Sequence, residues 1–324
     1  MPPGAEPGGG SDAGGWARLR PLNVGDVLDG MFRLFLRHWR QYLLAVAAIL
    51  VPLNLVTSWL QRDLFAGAGL LEMFGDPTVA QGMAAEGPPG AQIFAGFGVQ
   101  GLAALLVSPF VAGVVTVLAA RAHLGQPVSA ADGLRTAGRR YFPLIIANFL
   151  VYLAVGGLAA ALLVPVIGVF VVGAATEPVI GILLGITLVL LAVAAGAVLL
   201  VLFLVATPAI VIEQRGPLSA LGRSASLVRR RFWPVVGVGL LTWLISTLIA
   251  GVFVWPFQIP AMLVGGQVAF VLTTLGTIVG TVLVTPLLPN AHTLIYYDLR
   301  VRAEALDLEH MAAALDDPPG GHAA

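Results

Sequence analysis

The side chains best suited to chemistry are few and scattered. There are five histidines, His38, His123, His292, His310 and His322, and no cysteine. None of the histidines stands at zinc-ligand spacing from another histidine or an acid. The missing cysteine removes thiolate metal sites, disulfides and cysteine nucleophiles. His292, near Asn290 at the end of the last apolar run, reads as an interfacial polar residue. One glycine pattern, Gly96-Phe97-Gly98-Val99-Gln100-Gly101, matches the dinucleotide fingerprint GxGxxG. Its context is wrong, because no strand precedes it and no acid follows about 20 positions on. Close helix packing explains it better, as it does the GxxxG pairs Gly181/Gly185 and Gly276/Gly280. No catalytic, cofactor-binding or metal-binding residue is therefore expected, and the chain does not read as an enzyme.

The apolar runs themselves contain no Asp, Glu, Arg or Lys. Intramembrane ionisable groups mark proton relays and ion-coupled pumps, so that mechanism is disfavoured. Asn54, Asn148, Gln258 and Gln267 are polar, and hydrogen bonding between helices is their expected role. Three hydroxyl–proline pairs also recur: Ser108-Pro109, Thr207-Pro208 and Thr285-Pro286. Pro109, Pro208 and Pro286 are read as helix kinks satisfied by neighbouring helices. A broken-helix transport path is the alternative.

The elements that must carry these residues are membrane helices. Of 324 residues, 58% are hydrophobic and 10% charged, against about 25% charged in a soluble domain. Six apolar runs stand out: Tyr42–Leu60, Ile93–Ala120, Pro143–Gly173, Val179–Ile212, Val235–Trp255 and Val268–Tyr296. A helix needs about 20 apolar residues to cross a hydrocarbon core of about 30 Å, so each run can span. The third and fourth are long enough to tilt, kink or project. No run shows the period of two that a transmembrane strand requires. The predicted fold class is all-α integral membrane, with a transmembrane domain over residues 20–306 between disordered tails at 1–19 and 307–324. No cleavable signal peptide is expected.

Orientation follows from arginine. All basic residues are Arg, and sixteen of the seventeen fall on one side of the alternating connections. The other side has only Arg62, with Asp63, Glu72, Asp76, Glu86 and Glu177. By the positive-inside rule the Arg-rich side is cytoplasmic, which places both termini there and the protein in a bacterial cytoplasmic membrane.

The Arg-rich segments resemble one another. Each runs basic, aromatic, membrane: Arg37-His38-Trp39-Arg40-Gln41, Arg139-Arg140-Tyr141-Phe142-Pro143 and Arg230-Arg231-Phe232-Trp233-Pro234. A short amphipathic helix is predicted before each. In the first, Val24, Val27, Leu28, Met31, Leu34 and Phe35 share one face. Asn23 with Asp26, and Ser129 with Asp132, have the look of N-caps with an acid three residues on. The architecture is thus three degenerate repeats of interfacial helix plus helical hairpin. Arg37, Arg40, Arg139, Arg140, Arg230 and Arg231 become candidate contacts for lipid headgroups. Anionic membrane lipid is the expected partner, a protein partner is left open, and no nucleic-acid partner is indicated.

Two end motifs carry a family resemblance. Pro21-Leu22-Asn23-Val24-Gly25-Asp26-Val27-Leu28-Asp29-Gly30, then Phe32-Arg33-Leu34, resembles the opening of actinobacterial membrane proteins of the glycerophosphoryl diester phosphodiesterase membrane domain family. The stretch Leu294-Ile295-Tyr296-Tyr297-Asp298-Leu299-Arg300-Val301-Arg302 is similar to that family's end. The resemblance implies a stand-alone membrane domain. Some relatives fuse it to a soluble phosphodiesterase barrel, but no catalytic residue carries over to this chain. The expected role is a non-catalytic scaffold or partner subunit. A permease or lipid-handling protein for a neutral or amphipathic ligand is the alternative.

Overall fold

The computed structural model describes residues 24–62, 90–176 and 178–316, with no strand among them. The helices are α1 (Val24–Arg37), α2 (Trp39–Leu60), α3 (Gly90–Leu106), α4 (Ser108–His123), α5 (Ala130–Arg139), α6 (Tyr141–Thr176), α7 (Pro178–Leu202), α8 (Ala206–Ile212), α9 (Pro217–Arg229), α10 (Phe232–Val264), α11 (Gly266–Val284) and α12 (Leu287–Asp316). Six stretches are long and apolar enough to cross a membrane, so the chain is a multi-pass helical membrane protein.

One order repeats three times: a short elbow helix, an outgoing span, a returning span, and a continuation after a break. The elbows are α1, α5 and α9, and the outgoing spans are α2, α6 and α10. The returning spans α3, α7 and α11 are interrupted, at Val107, at residues 203–205 and at Thr285–Pro286. Each interruption lies just before or at the hydroxyl–proline pair. The physical reason is that proline lacks the amide hydrogen and clashes with the carbonyl four residues earlier. Prolines inside α2, α6 and α10 (Pro52, Pro165, Pro256 and Pro260) leave the helix unbroken.

The elbows follow a cyclic order. Elbow α5 packs on α4 of the first unit, α9 on α8 of the second, and α1 on α12 of the third. Each elbow thus caps the exit of the unit before it, and the first closes on the last. The core lies at this end of the molecule. It gathers Val27 and Met31 of α1, Leu144 and Ala147 of α6, Val205 and Ala209 to Val211, Ala220, Leu227 and Val228, and Leu287, Ala291, Leu294 to Tyr297 and Leu299 of α12. A second cluster joins Tyr42, Ala45 and Val46 to Val111, Val114, Val115, Leu118 and Ala137. Helix α4 is the axis of the hub. Residues Val111 and Gly113 through Ala119 are all buried, because α4 touches α1, α2, α3, α5, α6, α8 and α12.

The far ends pack differently. The second and third hairpins are closed pairs, α6 on α7 and α10 on α11, whereas α2 packs on α11 more than on α3. Glycine makes the third hairpin close. A Cβ at Gly276 would sit 2.8 Å from the Cβ of Phe257, and one at Gly280 would collide with Val254. Gly181 and Gly185 are likewise buried. Outward faces are apolar, with Val164, Val179, Leu248 and Val252 all more than 60% exposed. That is the surface expected where lipid is the solvent.

Several boundaries differ from the sequence reading. The fifth run, read as ending at Trp255, continues as α10 to Val264, and the reversal falls on Gly265 and Gly266, at φ 64° and 59°. Both glycines take a positive φ that a side chain would resist, and that closes the turn. Helix α12 runs on to Asp316, past the expected tail boundary. At 36 residues α6 is about 54 Å long, more than a core of about 30 Å takes up even at 40° tilt. The N-terminal tail, Asn23 and Glu177 lie outside the described residues.

Candidate functional site

The elbow side holds most of the charged side chains, and the repeat explains their placement. Counting from the first residue of each elbow helix, positions four and eight face the hub in all three. They are Val27 and Met31, Gly133 and Ala137, Ala220 and Ser224, all buried. A spacing of four puts them on one stripe. Gly133 lets α5 approach α4, since a Cβ there would meet Leu118 at 3.1 Å. The opposite face carries arginine to the surface.

Ion pairs fasten elbows to the exits they cap. Arg121 at the end of α4 donates to Asp132 of α5 at 2.7 Å. Between the second and third units the polarity is reversed: Glu213, just after α8, accepts from Arg223 of α9 at 3.2 Å. Glu213 also accepts from Arg215 and, across the hub, from the Tyr296 hydroxyl at 2.5 Å. Its side chain is only 10% exposed. Burial pushes the Glu213 carboxyl up, but the Tyr296 and Arg215 hydrogen bonds and the Arg223 charge together hold it below its ordinary value. His123 of α4 stacks on Tyr297 of α12 at 5.0 Å.

The expected cap at Ser129 is replaced. Its side chain makes no capping bond, and the Ala130 amide donates instead to Gln41 Oε1 of α2 at 2.9 Å. Asp132, read as the partner acid of that cap, is engaged by Arg121. The glutamine of the first basic segment thus caps the elbow of the second unit.

The six candidate arginines separate into two groups. Arg140 is engaged at the surface: it donates to the Gln214 carbonyl at 3.3 Å and to Gln214 Oε1 at 2.9 Å. Gln214 has φ 56°, a left-handed conformation costly for a non-glycine residue, and these two bonds hold it. Arg37, Arg40, Arg139, Arg230 and Arg231 are exposed. They form no ion pair with any described residue. Exposed aromatics stand beside them: Trp39 at 47%, Phe142 at 75% and Trp233 at 78%. The Arg40 guanidinium lies 5.4 Å over the Trp39 ring. Each elbow therefore shows cation and aromatic surface where a span enters the membrane. Pro109, Pro208 and Leu287, after Pro286, are buried in the hub. No group of three or more metal-ligating side chains occurs among the described residues.

Sequence reasoning passed over Glu213, Gln41 and Gln214. Glu213 had a signal: it is the only acid between Ile212 and Arg231, at the membrane edge among five arginines. Gln41 and Gln214 had none, since their partners are 89 and 74 residues away.

A family model described as a domain of unknown function, DUF7847, matches residues 40–299. The chain belongs to that family. The match begins at the start of α2, past the first elbow, and ends within α12, so it takes in nearly the whole of all six spans. No curated protein and no solved structure matches.

Proposed function

We propose that this DUF7847 protein is a non-catalytic scaffold of the bacterial cytoplasmic membrane. Its elbow side faces the cytoplasm and rests on anionic headgroups. The observation that carries this reading is the set of five exposed arginines, one or two per elbow, each beside an exposed aromatic. Attraction to an anionic leaflet contributes about 1 kcal/mol per Arg near the surface, and aromatic rings settle at headgroup depth. The likeness of the end motifs to a membrane domain that accompanies phosphodiesterases supports a protein that works beside a catalytic partner. Native mass spectrometry from nanodiscs tests the lipid reading. Wild-type protein should retain phosphatidylglycerol over phosphatidylcholine, and the Arg37→Gln, Arg40→Gln, Arg230→Gln, Arg231→Gln variant should lose that preference. Equal retention of both lipids by the wild type would overturn it.

The interrupted returning spans favour a second reading, a permease for a neutral or amphipathic ligand. The burial of the prolines at these breaks, Pro109, Pro208 and Pro286, within the hub favours the scaffold.

A further inference from the structure

The repeat puts three exposed aromatics at equivalent places, where each outgoing span leaves its elbow: Trp39, Phe142 and Trp233. They mark one plane, and two of the spans also mark the opposite one. On α2, Trp59 is exposed and the Arg62 guanidinium lies 4.6 Å over its ring, as Arg40 lies over Trp39. At about 1.5 Å of rise per residue, Trp39 and Trp59 stand about 30 Å apart. On α10, Trp233 and Trp255 are both exposed, and stand about 33 Å apart. Aromatic girdles sit at the two faces of a bilayer, and this spacing is that of an ordinary hydrocarbon core of about 30 Å.

The second hairpin carries no such mark at that height. After Tyr152 no Trp, Tyr or charged residue occurs until Glu177, and none follows before Glu213. The polar boundary of α6 is therefore its last residue, Thr176, with Glu177 next in sequence. Thr176 is about 51 Å along the helix from Phe142. Tilted by about 40°, the upper end of what spans adopt, α6 still rises about 39 Å. That is about 6–9 Å beyond the plane that α2 and α10 mark. The excess does not fold back on the protein. Besides α7, α6 packs mainly on α4 and α9 at the elbow end, and α7 packs on α9 and α10. Val164, Ile167, Val179, Ile182 and Leu183 are all exposed. A Cβ at Gly156, Gly157 or Gly168 would meet nothing within 4 Å.

Water over that surface would hydrate a wholly apolar stretch, which is unfavourable in proportion to its area. Lipid covers it where the leaflet rises to meet it, as bilayers do around a long apolar segment at a modest cost per ångström. We propose that the second hairpin is a contact surface for long-chain lipid. Around it the leaflet away from the elbows is locally thickened, while beside α2 that leaflet keeps its ordinary depth. The protein is thus a wedge in hydrophobic height, and it gathers long acyl chains on one flank. The inference concerns chain length on the side away from the elbows, so it stands or falls apart from their headgroup preference.

Thermal unfolding of the full chain in nanodiscs of dimyristoleoyl, dioleoyl or dierucoyl phosphatidylcholine tests this, since only chain length changes. Tm should rise along the series and be highest in the erucoyl bilayer. A maximum in dioleoyl, the result for a protein matched at about 30 Å throughout, would overturn the proposal. A charge near the tip gives a second arm. Leu183 is exposed and lies about 8 Å below the start of α7. Leu183→Glu should lower Tm by about 2–6 °C in dioleoyl, because a charge in lipid is costly. In water the same change would be silent, and a silent result would overturn the proposal too. Should Leu183→Glu fail to fold, Leu183→Cys decides: it should resist an impermeant thiol reagent under conditions in which Gln267→Cys reacts. Cryo-electron microscopy of the nanodisc should show the far headgroup layer standing higher beside α6 and α7 than beside α2. A level leaflet crossing α6 near Val164, or a second copy of the chain seated on the hairpin, would refute it.

Discussion

Glu213 is the joint at which three elements meet, and removing it should be felt across the hub. Its carboxylate accepts from Tyr296 of α12, from Arg223 of α9 and from Arg215 of the intervening loop. A hydrogen bond to a charged group contributes about 1.5–3 kcal/mol. Arg215 is 43% exposed, so its share is heavily screened. Tyr296 and Arg223, at 25% exposure for the latter, carry most of the effect. Glu213→Leu strips both of their acceptor and should cost about 3 kcal/mol, near the low end for breaking a buried pair. At about 2–4 °C per kcal/mol, Tm should fall by roughly 6–12 °C in tryptophan-fluorescence unfolding. Glu213→Gln keeps an acceptor and loses the charge, so it should fall between. The pH dependence has a definite sign. The folded carboxyl titrates below its ordinary value of 4.5, so its contribution is complete above that pH and is lost as pH drops through the lower folded value. Wild-type stability should therefore decline below about pH 4.5 more steeply than that of Glu213→Gln. A Glu213→Leu protein within 1 °C of wild type, or parallel pH profiles, would refute the assignment.

Three further outcomes are expected. Gly280→Ala should destabilise the third hairpin by about 1–3 kcal/mol through overpacking, measured by thermal unfolding, and Val254→Ala should restore part of the loss because Val254 is the atom group met. Gln41→Ala should cost about 1 kcal/mol by uncapping α5, whereas Ser129→Ala should be silent; an effect at Ser129 alone would contradict the observed cap. Cysteine at Gln267, exposed on the α10–α11 turn, should react with an impermeant thiol reagent added outside cells, and cysteine at Ser226, exposed on α9, should not; the reverse labelling would invert the proposed orientation.

The spans were legible because hydropathy and length are local properties. A run of about 20 predominantly apolar residues reads as a span whatever surrounds it. The repeat was legible for a similar reason, since Arg-aromatic pairs and hydroxyl–proline pairs recur as short strings. The end of the fifth span was misread because Pro256 and Pro260 resemble a stop. In a membrane, a helix continues through proline where neighbours or lipid leave it no better partner than its own backbone, and α10 does so until two glycines allow reversal. At Ser129 the expected cap fails because its hydroxyl takes no amide of the first turn, and the free amide at Ala130 finds Gln41, 89 residues away. Arg140 shares its neighbours' basic string, yet it bonds Gln214, a residue 74 positions away at positive φ, and no string of letters announces that.

The cyclic order has a consequence for how the ring is held. Two of its three joints are local, since α5 follows α4 and α9 follows α8 within a short connection. The third joins α1 to α12 across almost the whole chain, with Gly30 so near Leu294 that a Cβ would lie 3.0 Å from its Cδ1. Loop-closure entropy makes that joint the costliest to form. Helix α12 is also tied to the earlier units by polar contacts far apart in the chain: Tyr296 donates to Glu213 after α8, and Tyr297 stacks on His123 of α4. Apolar contact in lipid offers little drive, because acyl chains are as apolar as leucine. Directional bonds therefore suit the joint that local chain connectivity cannot supply. The hydrogen-bonding residues of α12 are, on this argument, what makes a linear array of three hairpins into a closed hub.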